Sequence, residues 1–426
     1  MKIAIIADVH LNKSTYGQVK DKDLSHLPFR TVDFMRAFEY SIDKAIKLTP
    51  DLLVIVGDTY DNFYPNNDVS GFFNAQIKKL HEANIHSVFM VGNHDVCKKH
   101  HALKPLKELD LTYAKVIDSP SMIEMGDYIL MFFPYSLEIE QDKITTKKQF
   151  VDFVNDVKQE IADSPSLQNK KVIFFGHFGV QGATMNQYSV KPVGLITEQS
   201  IKRIAKKNFR NYDDGAITVA ELDDIGASYV FLGDYHKHQV LPTQNCKSMY
   251  VGSIERADIN EMGQKKGFVL FDDSLPESDK MGTCVFIEYP NCRPFVELRG
   301  NWNDIKNGAK AITDESKGAI VKISFIGNKS QLIECHANMQ KLKDWLKKKI
   351  DPVHIMYEQN IIDEQDKKEA TEMEQQILKT GKIDASDVLG VAIEMIDETE
   401  KDLDENAALK TMANEIYNEI NSRDKK

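Results

Sequence analysis

Five apolar runs in this chain each end abruptly in a short polar motif, and that repeated conjunction is what most restricts its fold. The runs are Lys2 to Ala7, Leu52 to Val56, His86 to Val91, Val172 to Phe175 and Tyr229 to Leu232. Directly after them stand Asp8-Val9-His10, Gly57-Asp58-Thr59-Tyr60-Asp61, Gly92-Asn93-His94-Asp95, Gly176-His177 and Gly233-Asp234-Tyr235-His236. Short unbroken apolar runs read as strands buried on both faces. Ligands in open α/β sheets bind beyond the carboxyl ends of the strands, so the polar residues are expected together on one sheet edge.

Spacing gives each motif a chemical use. Asp8 and His10, two apart on an extended chain, point the same way and can grip one ion. Gly57 and Gly92 stand where a strand turns into a loop, a place for a residue without Cβ if the backbone needs positive φ. An aspartate directly after such a glycine, as Asp58 is, can offer its two oxygens to two metals. Asn93 adds a neutral carbonyl oxygen, and His94 is left to face a substrate. A lone Asp-x-His is common by chance, and a single buried histidine is usually a hydrogen-bonded core residue. In order, however, the motifs supply Asp8, His10, Asp58, Asn93, His177, Asp234 and His236, the oxygen and nitrogen donors that two adjacent divalent cations need.

These motifs, in this order and at this spacing, resemble the metallophosphoesterase signature. Leu232-Gly-Asp-Tyr-His-Lys-His-Gln239 is similar to the Gly-His-x-His-Lys-Pro-Gln region of SbcD-type nucleases, and Tyr250-Val-Gly-Ser-Ile254, Glu261 and Lys266-Gly-Phe268 are similar to the segment that closes their catalytic domain. The resemblance covers about the first 275 residues well and the remainder only in layout. It implies a nuclease that cuts DNA by exo- and endonucleolytic hydrolysis, a homodimer, and a coiled-coil ATPase partner of the SbcC type in end processing, repair and recombination. One position departs: Asp234 stands where the family usually has histidine. A carboxylate suits hard cations, so the expected pair of ions is Mn²⁺, or else Mg²⁺, and not Zn²⁺. An alternative register would use His236 and His238 as the pair.

The resemblance also implies roles. Asp8, His10, Asp58 and His236 would hold one cation; Asp58, Asn93, His177 and Asp234 would hold the other. Ions about 3.5 to 4 Å apart polarise a phosphate and activate water. His94 would be the acid at the leaving oxygen, a task suited to a group that titrates near neutrality. Asp61 and Asp95 are candidates to orient His94 or a ligand histidine from behind, although Asp95 reads equally well as a loop cap.

A chain of 426 residues calls for two or three domains. Its five cysteines, Cys97, Cys246, Cys284, Cys292 and Cys335, form no Cys-x-x-Cys pair, and their odd number makes no disulfide framework. A reducing, cytoplasmic setting is expected. Asp8 interrupts the opening apolar run too early for a signal peptide, and no run reaches membrane-span length. The net charge of −11 is uneven: residues 361–426 hold 9 basic and 18 acidic residues, a net of −9, which leaves −2 for the first 360. A local basic face is still available to nucleic acid, with Lys98, Lys99, His100, His101 and Lys104 as one candidate. A merely solvated face is the commoner reason for such a cluster.

The expected architecture is α/β, specifically an α+β sandwich of two sheets flanked by helices, over residues 1–275. Phe34 to Leu48, Gly71 to Ala83 and Val219 to Ile225 have helical spacing. The polar stretch Asp272 to Gly282 reads as a boundary. Beyond it, Ala319 to Phe325, Leu332 to Lys348 and Val353 to Tyr357 read as strand, helix and strand of a small α/β capping unit, 283–360. Helical patterns at Lys367 to Lys379, Ser386 to Thr399 and Ala407 to Ser422 form a segment, 365–426, expected to bind the ATPase. The chain has no phosphate-binding Gly-x-x-x-x-Gly-Lys loop, so ATP hydrolysis would belong to the partner. Two other readings are a phosphodiesterase for small substrates and a non-catalytic scaffold. Phosphoprotein phosphatases would favour Asp-Arg-Gly and Gly-Asn-His-Glu where this chain has Asp61-Asn62-Phe63 and Gly92-Asn93-His94-Asp95.

Overall fold

The computed structural model describes residues 1–361 except 17–20, 22–23, 25, 142, 182, 184–216 and 279. The expected C-terminal helices at 365–426 lie outside the described residues.

Strand Lys2–Ile6 anchors a first sheet of six strands, in the order Cys284–Glu288, Gly267–Asp272, Lys2–Ile6, Leu52–Ile55, His86–Met90 and Ala114–Ile117. Its last four strands are parallel, and the two on the near edge are antiparallel. A second sheet of six runs Gln239–Val240, Lys247–Tyr250, Tyr229–Gly233, Lys171–His177, Tyr128–Phe133 and Ser121–Met125, again with a parallel centre and antiparallel edges.

Period-two alternation explains why the runs are apolar throughout. Ile3, Ile5 and Ala7 face inward, where Phe132, Phe175, Phe231 and Phe271 fill the space between the sheets. Ala4 and Ile6 face outward beneath helices Phe29–Leu48 and Asn67–Glu82. On the second sheet, Phe174 and Phe133 face outward onto helix Thr146–Asp163. The observed architecture is therefore the sandwich flanked by helices. The parallel strands of both sheets end at one edge, where Ala7 bridges to Ser253 and joins the sheets.

Residues 272–282, read above as a boundary, instead connect two paired strands of the first sheet, because Phe271 lies opposite Cys284. The chain leaves the sandwich only after Glu288. It then forms a three-stranded parallel sheet, Phe295–Gly300, Ile320–Gly327 and His354–Ile361, with helices Trp302–Lys310 and Lys329–Ile350. The first strand and first helix of this unit have no clear signal in the sequence, although Asn301 and Asp304 form a reciprocal capping box at the helix start. Leu298, Trp302, Ile305, Ile323, Phe325, Leu342 and Leu346 make its separate core.

Candidate metal centre

Three glycines let the polar motifs converge, Gly57 and Gly233 where the two sheets meet and Gly92 between neighbouring loops of the first sheet. A Cβ on Gly57, whose φ is +80°, would stand 2.0 Å from His177 Nδ1. One on Gly92 would stand 2.2 Å from Asp58 Oδ1, and one on Gly233 would stand 2.2 Å from the Val56 carbonyl oxygen. No other residue fits at these positions without moving a site side chain or the backbone. Asp8, His10 and Asp58 themselves sit in left-handed backbone (φ 50°, 46° and 49°), a strained conformation for side-chain-bearing residues that aims them into the crevice.

Donor atoms of Asp8, His10 and Asp58 all lie within 4.8 Å of one another, and the three residues are buried. The Nε2 atoms of His10 and His236 face each other at 2.9 Å. Asp58 stands between two groups of donors: Oδ2 lies 3.7 Å from His10 Nε2, and Oδ1 lies 3.4 Å from His177 Nε2. The Asn93 Oδ1 is 2.9 Å from the same His177 nitrogen. His177 is turned this way because its Nδ1–H donates to the Val56 carbonyl at 2.9 Å. Asp234 donates its backbone N–H to Asp8 Oδ1 at 2.9 Å. His238 is occupied elsewhere, with Nδ1 at 3.1 Å from the carbonyls of Tyr250 and Val251 and its ring stacked on Phe286. Asp234 is thus the member of the two registers that stands beside Asp8.

Electrostatics match the geometry. Burial pushes the Asp234 carboxyl up to about 6; the charges of Asp58 and Asp8 add to this and His177 opposes it. Burial lowers the His177 imidazole, but the Asp58, Asp8 and Asp234 carboxylates more than reverse this and lift it to about 10. Asp58 is held well below the usual range, its burial being outweighed by His177, His10 and His94. Three crowded carboxylates call for positive charge. Asp8 Oδ2 is buried with no hydrogen-bond partner, a costly state unless a cation satisfies it. Oxygen-rich donors of this kind fit a pair of hard divalent ions.

Asp61 Oδ1 lies 3.3 Å from His10 Nδ1 and 2.6 Å from Lys13 Nζ, so its carboxylate backs a donor histidine, while its main-chain carbonyl accepts from His94 Nδ1 at 3.0 Å. Asp95 does not orient His94. It is fully buried and accepts from the backbone N–H groups of Gly92, Thr59 and Tyr60 at 2.9, 3.2 and 2.9 Å, which ties two motif loops together. Glu261 and Lys266, visible in the sequence only as a pattern, hold His236: its Nδ1 lies 2.8 Å from Glu261 Oε1, and Lys266 Nζ lies 2.7 Å from Glu261 Oε2. His94 is exposed, its backbone N–H donating to Asp58 Oδ1 at 2.9 Å and its ring edge-on to His10 at 4.8 Å. Of the basic cluster, His101 is buried on Asp118, whereas Lys98, Lys99, His100 and Lys104 are exposed or partly exposed.

Such a crevice, with hard-cation donors at the carboxyl ends of two facing sheets and an exposed histidine at its mouth, defines a metal-dependent phosphate-ester hydrolase. Residues 1–238 match the model of the calcineurin-like phosphoesterases, and the chain belongs to that family. It is 26% identical over 314 residues to the SbcD component of the nuclease SbcCD of Staphylococcus epidermidis, covering 72% of this chain and 74% of that protein. Among solved structures it is similar to a dimetal phosphatase from Danio rerio (10% identity, 63% of this chain and 91% of that one, TM-score 0.36). It is likewise similar to a purple acid phosphatase from yellow lupin (12% identity, 63% and 48%, TM-score 0.37). Among the described residues no helix is long and apolar enough to cross a membrane.

Proposed function

We propose that this chain is a DNA nuclease of the SbcD type, hydrolysing phosphodiester bonds at ends and within strands, in the cytoplasm, as a homodimer. The observation that supports the reading is the convergence of buried Asp8, His10 and Asp58, with His177 on the other side of Asp58, taken with the likeness to the SbcD component of a nuclease. Asp8, His10, Asp58 and His236 would hold one ion, and Asp58, Asn93, His177 and Asp234 the other. Mn²⁺ is the proposed cofactor, with Mg²⁺ as substitute, because Asp234 adds a carboxylate oxygen where a nitrogen donor would favour softer metals. Bound there, the ions would supply Lewis acidity toward the phosphate and a more acidic water.

The protein's own groups do the rest. The Asp61 carboxylate lies beside His10 Nδ1, and Glu261 sets the His236 ring through a hydrogen bond with Nδ1. With Nδ1 held by the Asp61 carbonyl, His94 presents Nε2 outward, in position to give a proton to the leaving oxygen. ATP-driven handling of DNA would come from a coiled-coil ATPase of the SbcC type bound through residues 365–426. The deciding experiment is cleavage of end-labelled linear and hairpin DNA with Mn²⁺, Mg²⁺ or chelator. Cleavage with Mn²⁺ that chelator abolishes is expected; intact DNA under every ion, beside rapid hydrolysis of a small diester, would replace this reading with a small-substrate phosphodiesterase. Removal of residues 366–426 should abolish co-purification with the ATPase and spare Mn²⁺-dependent cleavage.

A further inference from the structure

The junction between the sandwich and the three-stranded unit is held by buried charge rather than by apolar contact alone. Arg293, the residue two before strand Phe295–Gly300, donates through Nε to Asp33 Oδ2 at 2.9 Å and through Nη2 to Asp33 Oδ1, a two-pronged grip on helix Phe29–Leu48. Its Nη1 donates to the Gly318 carbonyl at 3.0 Å, just before the next strand of the cap. Asp33 also accepts from Arg30 Nη1 at 2.6 Å; Arg30 is fully buried, donates to the Arg256 carbonyl and lies over the rings of Phe34 and Phe295. Glu255, also buried, accepts the Arg293 backbone N–H at 3.2 Å. Arg256 returns the contact by donating to the Arg293 carbonyl at 3.2 Å.

Five charged side chains thus interlock around one peptide segment, with each carboxylate facing an arginine or backbone N–H groups. Burying ions is costly, and such a network is a weak stabiliser, since apolar residues of the same size commonly do as well. What it supplies is direction: a guanidinium fork fits a carboxylate in only a few orientations. The same Ser253–Lys266 stretch that contacts Arg293 through Glu255 and Arg256 also carries Glu261 and Lys266, which seat His236. The network therefore stands between the cap and the metal centre.

We infer that the Asp33–Arg293 pair is a positioning latch that fixes the cap, residues 295–361, against the phosphoesterase body so that a long polynucleotide is aligned with the metal centre. This rests on the nuclease reading above. Small diesters reach the crevice without the cap and do not need the latch; a polymer that spans both bodies does. In Arg293→Ala the Asp33 carboxylate keeps Arg30 as partner, so the fold is retained. Arg293→Lys keeps the charge but loses the fork.

The test compares both variants with the parent chain, loaded with Mn²⁺, on linear duplex DNA and on bis(p-nitrophenyl) phosphate. Limited proteolysis at residues 289–294 reads cap docking without any catalysis. In Arg293→Ala the KM for duplex should rise about tenfold, roughly 1.4 kcal/mol of lost alignment, with kcat/KM for the small diester within about twofold. Proteolysis at the junction should quicken, and Arg293→Lys should fall between. Equal losses on both substrates, or an unchanged duplex KM, would overturn the latch. If the parent chain cleaves the diester but no DNA, the nuclease reading fails by itself. The rate of junction proteolysis then decides the latch: faster cutting in Arg293→Ala upholds cap docking, and unchanged cutting refutes it.

Discussion

Single atoms decide this site. Gly92 has ordinary backbone, so φ does not explain it; the reason is Asp58, whose Oδ1 and backbone nitrogen both lie 2.2 Å from where a Cβ would stand. Gly92→Ala must therefore push aside the carboxylate that lies between the two donor groups. Mn²⁺ binding by titration calorimetry should fall at least about tenfold, with a stability loss of about 1–3 kcal/mol from overpacking; unchanged affinity would mean Asp58 is not a ligand. His94 is the opposite case. Its backbone N–H meets Asp58, its Nδ1 the Asp61 carbonyl, and its ring lies edge-on to His10 with a nitrogen within 4.8 Å of donor atoms of His10 and Asp61; read as the acid and not a ligand, His94→Ala should lower kcat by about 10²–10⁴-fold while the Mn²⁺ stoichiometry stays as in the parent chain. Loss of both would make His94 a ligand.

At the scale of elements, the loop carrying Asn93 and His94 is only as steady as the elements on its C-terminal side. The short hairpin Val96–Cys97 with His100–His101, helix Lys104–Glu108 and the end of strand Ala114–Ile117 are pinned to one another by Asp118, which meets His101 Nε2 at 3.2 Å and Lys107 Nζ at 2.6 Å. The His101 hydrogen bond, aided by Lys107 and against partial burial, draws the Asp118 carboxyl down to about 2. A carboxylate whose pKa is depressed on folding adds stability above its unfolded value, near 4, and loses it as the pH falls toward the folded value. Asp118→Asn should therefore cost on the order of 1 kcal/mol at pH 7, allowing for solvent screening, and the gap in urea unfolding should close between about pH 4 and pH 2. A gap that stays constant with pH would show that the carboxylate charge contributes nothing. In helix Phe29–Leu48, the first turn is invisible to apolar periodicity because Arg30 and Asp33 interrupt it, yet both are buried as members of the junction network.

For the whole molecule, ions bound only by the folded state must stabilise it. Free Mn²⁺ at about 100 times its dissociation constant should add about 2.7 kcal/mol and raise Tm, and excess chelator should reverse the shift. Equal melting curves with ion and with chelator would refute a preformed centre. The described part of the chain consists of the sandwich and the smaller parallel sheet with its own core, and the acidic excess lies in residues 361–426, beyond the sandwich. A near-neutral body leaves Lys98, Lys99 and Lys104 beside the His94 loop unopposed by a large net negative charge.

Much of this was legible in the chain. Runs such as Lys2 to Ala7 are apolar because both faces of a central strand are covered, and motif residues follow them because strand ends are where a sheet exposes side chains to a crevice. Local order therefore determined the strands, the edge and the candidate donor residues. It could not show that Asp95 binds three backbone N–H groups rather than His94, that Glu261 supports His236, or that Asp33 meets Arg293 across 260 positions. Nor did it reveal strand Phe295–Gly300, whose core partners lie in other segments. Those pairings depend on distances between residues far apart in sequence, which are settled only when two sheets and the three-stranded unit close on one another.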